Sequence, residues 1–272
     1  MLDHAVRKKL EALRRTLGER ERLIVAFSGG VDSGLLLKVA SDVLGKERVL
    51  AVTVESELLP RRDLEQAKRF VNEAGIVHKL VPFPWQSNAD FVKNSHDRCY
   101  YCKREIARLL RGIAAEEGIT TVAEGVTVSD FDEYRPGLLA SEEGGLWHPL
   151  VEAGITKQEV RQMAKELGLP FWNKPSSPCL ATRLEYGERV TKEKLEMIEA
   201  AEDFLNELGF KQLRVRLHRG DIARIEVGKE ELGRFFDINL LEAVRRKMRA
   251  LGFKYVTLDL EGYRSGSMAI EG

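Results

Sequence analysis

Four apolar runs punctuate the first half of the chain: RLIVAF at 22–27, RVLAVTV at 48–54, VHKLVPF at 77–83 and TTVAEGV at 120–126. Each is short, rich in Val, Ile, Leu or Thr, and bounded by polar or glycine-bearing segments, which is the pattern of strands. Between them the apolar spacing lengthens to that of a helix, predicting helices near 33–44, 60–74 and 100–117. A further amphipathic helix, MLDHAVRKKLEALRRTLGERE, precedes the first strand. Strands alternating with helices predict βαβ units and a parallel sheet covered on both faces. GLWHPLV at 145–151 predicts a fifth, short strand, and a helix follows near 156–167. The crossing LPFWNKPSSPCLATRLEYG then marks a boundary, and the order of elements changes. A helix near 191–208, the runs QLRVRLH and IARIEV, a helix near 240–251 and KYVTLDL predict a small α+β domain. The expected organisation is an α/β domain over 1–180 with a parallel sheet and a smaller C-terminal α+β domain over 181–272, without internal repeats.

Composition narrows the function classes. The chain has 272 residues, long enough for more than one average domain. Lys plus Arg and Asp plus Glu number 43 each, so no global charge favours nucleic acid or a membrane surface. No apolar run approaches transmembrane length and the N-terminal pattern is not that of a signal peptide, so a cytoplasmic protein with no membrane partner is expected.

The first candidate chemistry is LIVAFSGGVDSGLLLKVASDVLG, Leu23 to Gly45. In a parallel sheet, ligands bind beyond the carboxyl ends of the strands, and a helix starting there presents open N–H groups and a partial positive charge. Gly29 and Gly30 let backbone curl around an oxyanion, and Ser28 and Ser33 add hydroxyl donors. Asp32 would repel phosphates unless a cation, magnesium in the usual case, stands between them. The plainer alternative is a glycine turn with Ser33 as a helix cap. There is no Gly-Lys-Ser/Thr, which excludes a Walker loop.

SGGVDS in this setting resembles the PP-loop ATP pyrophosphatases, also described as adenine nucleotide alpha-hydrolase-like. The resemblance implies ATP cleavage between the α- and β-phosphates, adenylylation of a substrate oxygen, and displacement of AMP by a nucleophile. It places ATP on Ser28, Gly29, Gly30, Val31, Asp32 and Ser33. The adenosine would lie near VTVES, including Thr53, and near Gly125, positions that read equally well as ordinary strand ends. EGVTVSDFDEYRPG (124–137), PSSPCLATRLEYGERVT (175–191) and VTLDLEGYRSGSM (256–268) carry the resemblance further, to the LarE-type sulfur transferases, over nearly the whole chain. That family converts a carboxylate of pyridinium biscarboxylic acid mononucleotide to a thiocarboxylate on the way to a nickel-pincer nucleotide cofactor. The expected partner is thus a small nucleotide substrate. A homo-oligomer is also expected, with the 181–272 domain serving substrate binding or oligomerisation.

Three cysteines are present: Cys99, Cys102 and Cys179. In RCYYCK, Cys99 and Cys102 are three apart and can share one helix face. Zinc would need a fourth ligand, for which His96 is near in sequence. Cys179 by itself could be a small buried apolar residue. The resemblance offers two sulfur sources. One is sacrifice of the cysteine at the position of Cys179, leaving dehydroalanine. The other is a 4Fe–4S cluster held by Cys99, Cys102 and Cys179, with one iron open.

In QLRVRLHRG, Arg214, Arg216 and His218 alternate with Val215 and Leu217 and share a strand face. They form either a solvated face or a site for the substrate phosphate, for which Arg's planar fork is suited and which the resemblance favours. The stretch 211–250 holds 11 Lys/Arg against 6 Asp/Glu. Arg183, four residues after Cys179, is a candidate to pair with a substrate carboxylate or AMP. Asp32, Cys179 and Arg183 are the candidate catalytic residues. A tRNA-thiolating enzyme and a non-catalytic nucleotide-binding protein are the alternatives. The neutral charge and the lack of an added RNA-binding module weigh against the first, since phosphate backbones call for broad basic surfaces.

Overall fold

Leu23, Ile24 and Val25 are fully buried, and their side chains alternate between two separate apolar layers. The structure, a computed structural model, describes residues 2–132, 135–264 and 266–268. In chain order the elements are α1 (His4–Gly18), β1 (Leu23–Ala26), α2 (Val31–Leu44), β2 (Val49–Glu55), α3 (Arg61–Ala74), β3 (Val77–Pro82), α4 (Ala89–Val92), α5 (Arg98–Glu116) and β4 (Val122–Glu124). They continue as α6 (Pro136–Glu143), α7 (Pro149–Glu152), α8 (Lys157–Glu166), α9 (Lys192–Glu207), β5 (Leu213–His218), β6 (Ile222–Val227), α10 (Ile238–Ala250) and β7 (Tyr255–Leu258).

The chain divides into two compact units. The first comprises Met1–Ser56, Arg61–Asn88 and Cys99–Ser177, and the second Glu57–Pro60, Ala89–Arg98 and Pro178–Gly272. The first holds a parallel sheet in the order β3-β2-β1-β4. Leu23, Val25, Val49 and Ala51 point to the layer formed by α1, α2, α3 and α8, while Ile24, Leu50, Val52 and Val122 meet α5. The chain winds from β1 out to β3 and then returns to set β4 on the other side of β1. The crevice beyond the carboxyl ends of β1 and β4 is therefore the topological switch point, where such sheets take their ligands.

Helix boundaries have local causes. The Asp3 side chain accepts from Val6 N at 2.9 Å to start α1, whose Val6, Leu10, Leu13 and Leu17 form one buried stripe. Thr156 and Glu159 form a capping box at α8. The fifth strand expected at 145–151 is reduced to a single parallel bridge between Trp147 and Ala123. Pro149 has no N–H to extend a ladder and instead opens α7.

The second unit carries the sheet β5-β6-β7, with β5 and β6 antiparallel and β6 and β7 parallel. α9 covers it with Leu195, Ile198, Ala201 and Leu205 buried, and α10 contributes Val244 and Met248. The division is not the single cut near 180 that sequence suggests. Residues 57–60 and 89–98 join the second unit through long-range backbone bonds, Leu180 N to Leu58 O at 2.9 Å and Val190 N to Val92 O at 3.0 Å. Buried Asn94, in the left-handed region at φ 56°, donates to Glu185 O at 2.8 Å and Glu188 O at 3.0 Å. Among the described residues no helix is long and apolar enough to cross a membrane.

Leu13→Ala, at a fully buried position in the middle of the α1 stripe, should cost about 2–5 kcal/mol in urea unfolding. Phe236→Ala, at a position 91% exposed, should change stability by less than about 0.5 kcal/mol. Equal effects would show that α1 is not part of the core.

Candidate active site

SGGVDS forms the turn from β1 into α2. Gly29 sits at φ 74°, and a Cβ there would stand 2.9 Å from Asp63 O, so the position needs glycine on both counts. The N-cap is Gly30 and no side chain caps the helix, which departs from the cap by Ser33 that the plainer sequence alternative offers. Ser33 Oγ instead donates to Gly30 O at 3.3 Å and lies 3.1 Å from Ser28 Oγ, so both hydroxyls converge inside the loop. With no side chain closing it, the first turn of α2 is left to an external acceptor, the arrangement that binds anions. Lys174 adds a cation to this loop. Its Nζ lies 3.0 Å from Asp63 Oδ1 and donates to Gly29 O at 3.2 Å.

Gly125 closes β4 directly against the same turn. A Cβ at this position would come within 2.5 Å of Ser33 N and 2.7 Å of Asp32 C, both backbone atoms. The switch point therefore brings Gly125 and Ser28–Ser33 together. Thr53 is fully buried, with Oγ1 donating to Phe27 O at 2.7 Å and lying 2.9 Å from His78 Nε2. Its side chain ties β2 to the end of β1.

Asp32 lies at the start of α2. Burial raises its pKa and neighbouring Asp130 adds to that, while Lys157 opposes it. Lys157 Nζ stands 3.8 Å from Asp32 Oδ2 and 3.4 Å from Asp130 Oδ1. Two carboxylates around one cation are the oxygen donors a magnesium ion would use. Asp130 comes from EGVTVSDFDEYRPG and is fixed by bonds from Thr127 N and Oγ1 at 2.9 and 2.8 Å and by Arg135. Glu133 and Tyr134 of that motif, and Ser265 of GYRSGSM, lie outside the described residues. Asp130, Lys157, Lys174 and Asp63 escape sequence reasoning because each comes from a different element.

Glu124, one residue before Gly125, is buried. Burial works against its charge, yet Lys103, His148 and Ser141 together hold its carboxyl well below the usual carboxylate range. Lys103 follows Cys102 on α5. Cys99 and Cys102 lie in the first two turns of that helix, Cys99 exposed and Cys102 half-buried. None of the three cysteines is in a disulfide, and no group of three or more His, Cys, Asp or Glu among the described residues is arranged to hold a metal ion.

In the second unit, Cys179 precedes a 3-10 turn over Leu180–Arg183, and its carbonyl accepts from Thr182 N, Thr182 Oγ1 and Arg183 Nη1. Arg183 is fully buried. Its Nε and Nη2 bind the two oxygens of Glu202 at 3.0 and 3.1 Å, and Nη1 also donates to Pro178 O. This guanidinium is committed inside the protein, unlike the substrate-pairing group that sequence suggests, because Glu202 on α9 reaches it across 19 residues of chain.

Arg214 and Arg216 are buried, so β5 is not a solvated face: Val215 and Leu217 on its other side are buried as well. Arg216 binds Glu226 Oε2 through Nε at 3.1 Å and Nη2 at 2.9 Å. The pKa of Arg214 is pushed down to about 10 by burial and by Arg183 and Arg216, with Glu202 and Tyr263 opposing. Arg183, Arg214 and Arg216 share a buried cluster with Glu202 and Glu226, three guanidinium groups with two carboxylates, a setting that favours an anion. His218 lies apart, half-exposed, with Nδ1 3.4 Å from Glu185 Oε2.

Gly125→Ala should weaken ATP binding at least tenfold in calorimetric titration, because the new methyl displaces the amides of α2. Lys103→Met should cost about 3–5 kcal/mol at neutral pH by stranding Glu124. Glu124's depressed pKa contributes stability above the unfolded value of about 4.3, and that contribution is lost as pH falls. The gap between wild type and variant should accordingly narrow in unfolding curves taken below about pH 4. A gap independent of pH would show that Glu124 is not the group Lys103 supports.

Residues 5–98 match the NAD synthase family model. The chain is 45% identical to an uncharacterized protein of Synechocystis sp. over 96% of both chains. It is 41% identical to the pyridinium-3,5-bisthiocarboxylic acid mononucleotide synthase of Lactiplantibacillus plantarum, over 96% of this chain and 93% of that one. The glutamine-hydrolyzing GMP synthase of Bdellovibrio bacteriovorus is 29% identical over 71% of this chain and 42% of its own length. With the SGGVDS turn at the switch point of a parallel sheet and this likeness over nearly its whole length, the chain belongs to the LarE-type ATP-dependent sulfur transferases of the PP-loop superfamily.

Proposed function

We propose that this chain adenylylates a carboxylate of pyridinium biscarboxylic acid mononucleotide and replaces one oxygen by sulfur, giving a thiocarboxylate. The observation that carries the reading is the uncapped start of α2 closed by Gly125, in a chain so similar to a synthase named for the bisthiocarboxylic product. In this reading the α2 amides with Ser28 and Ser33 hold the ATP phosphates. Asp32 and Asp130 would hold magnesium, which would offset the charge of the polyphosphate. A substrate carboxylate oxygen attacks the α-phosphorus and pyrophosphate leaves. A sulfur nucleophile then adds to the acyl carbon and AMP departs with the oxygen. Adenylylation is needed because an oxide is a poor leaving group and AMP a good one.

Arg214 and Arg216 receive the substrate's phosphate, which the cationic balance of their cluster supports. Arg183 is a positioning residue, holding the Cys179 carbonyl and hence the turn that carries the thiol. Cys99, Cys102 and Cys179 would hold a 4Fe–4S cluster, which would supply the sulfide. Thiolates are the donors such a cluster takes, and two of the three stand one helical turn apart.

ATP should yield AMP and pyrophosphate, and Asp32→Ala should abolish magnesium-dependent pyrophosphate release while circular dichroism stays unchanged. ADP as product would overturn the assignment. With anaerobically prepared protein, Cys99→Ala, Cys102→Ala or Cys179→Ala should each remove the visible iron–sulfur absorption and multiple turnover. Intact mass spectrometry after turnover should show an unchanged wild-type chain; loss of the mass of hydrogen sulfide at Cys179 would instead establish the sacrificial route.

A further inference from the structure

The segment after β7 belongs to GYRSGSM, a motif to which neither ATP nor the cysteines give a role. Its described residues close onto the basic cluster of β5 and β6. Tyr263 N donates to Val227 O at 2.8 Å, placing the Tyr263 ring 5.2 Å from the Arg214 guanidinium in a cation–π contact. Four residues on, Ser267 Oγ donates to Glu226 Oε1 at 2.5 Å, and Ser267 O accepts from Arg224 Nη2 at 3.3 Å.

Glu226 is fully buried and its two oxygens are divided. Oε2 accepts from Nε and Nη2 of Arg216, while Oε1 accepts from Ser267 and stands 3.2 Å from Arg224. This division matters because a guanidinium and a carboxylate prefer the two-on-two fork. With Oε1 occupied from the segment side, Arg216 binds Oε2 alone and its Nη1 turns to Thr182 O at 3.2 Å. Without Ser267, only Arg224 among the described residues is left on Oε1, which gives Arg216 room to turn toward the two-on-two fork and away from its present plane.

We propose that Tyr263 and Ser267 are positioning residues that set the guanidinium planes of Arg214 and Arg216 for a phosphate monoester, and so determine recognition of the nucleotide substrate. The inference rests on the reading of Arg214 and Arg216 as the phosphate site. Neither residue belongs to the unit that carries the SGGVDS turn of α2, which makes ATP affinity the control for the test.

Calorimetric titration with pyridinium biscarboxylic acid mononucleotide and, separately, with ATP tests this. Ser267→Ala and Tyr263→Leu should each weaken the mononucleotide by about tenfold, the worth of one hydrogen bond or cation contact to a charged group, and raise its KM with kcat little changed. Ser267→Thr and Tyr263→Phe, which keep the hydroxyl and the ring, should bind as wild type, and ATP affinity should be the same in all four. If Arg216→Ala weakens the mononucleotide while Ser267→Ala and Tyr263→Leu do not, the positioning role is wrong and the phosphate site stands. If Arg216→Ala binds the mononucleotide as tightly as wild type, the phosphate site falls and the proposal with it. Should Tyr263→Leu fail to fold, Ser267→Ala, which removes a single oxygen, decides the question.

Discussion

The contact between Gly125 and the first turn of α2 is the constraint on which the first unit depends. Backbone meets backbone there, with no room for a methyl group. That closeness is possible only because β4 returns to the far side of β1, so that two strand ends point their loops into one crevice. The open amides of α2, the hydroxyls of Ser28 and Ser33, and the Asp32 carboxylate are all aimed from this junction. A sheet with the same strands in sequential order would place β4 beside β3 and leave the turn unsupported.

Buried charge is the second organising element. Glu124, Glu202 and Glu226 are each nearly or fully inaccessible, and each is held by cations from elsewhere in the chain. A lone buried carboxylate is expensive, so these groups fix their partners' positions as firmly as any apolar contact. Lys103 is thereby tied to the end of β4, Arg183 to α9, and Arg216 to β6. The cost of desolvation is thereby converted into fixed placement of these cations. The second unit goes further by setting three arginines, Arg183, Arg214 and Arg216, around two of these carboxylates.

The cysteines sit on two kinds of support. Cys99 and Cys102 open a long helix, where spacing by three sets them on one side. Cys179 is held by the backbone of a 3-10 turn whose carbonyls are gripped by Thr182 and Arg183. Residues 89–98, which lead directly into Cys99, pack with residues 185–190, which follow Cys179, through Asn94 and the His96–Tyr186 stack at 4.1 Å. Within the second unit, the stretch before one thiol and the stretch after another are thus held together by both a polar and an aromatic contact.

Sequence alone determined the elements whose cause is local. The strands β1 and β2 are near-continuous apolar runs and β3 and β4 shorter Val-bearing ones, α1 and α8 declare themselves by stripe and cap, and SGGVDS is legible because glycines, hydroxyls and a carboxylate between a strand and a helix have few other uses. GYRSGSM and PCLATR could be recognised as motifs but not given their contacts. Tertiary structure decided whatever needs two distant segments. Trp147 stops at one bridge because Pro149 follows it, residues 57–60 and 89–98 join the second unit by backbone bonds that no pattern announces, and Arg183 turns inward to Glu202. Arg214 and Arg216 alternate as a strand face should, yet alternation gives only the side of a strand. Which side is covered depends on α9, β6, Tyr263 and Ser267, and that is a property of packing rather than of spacing.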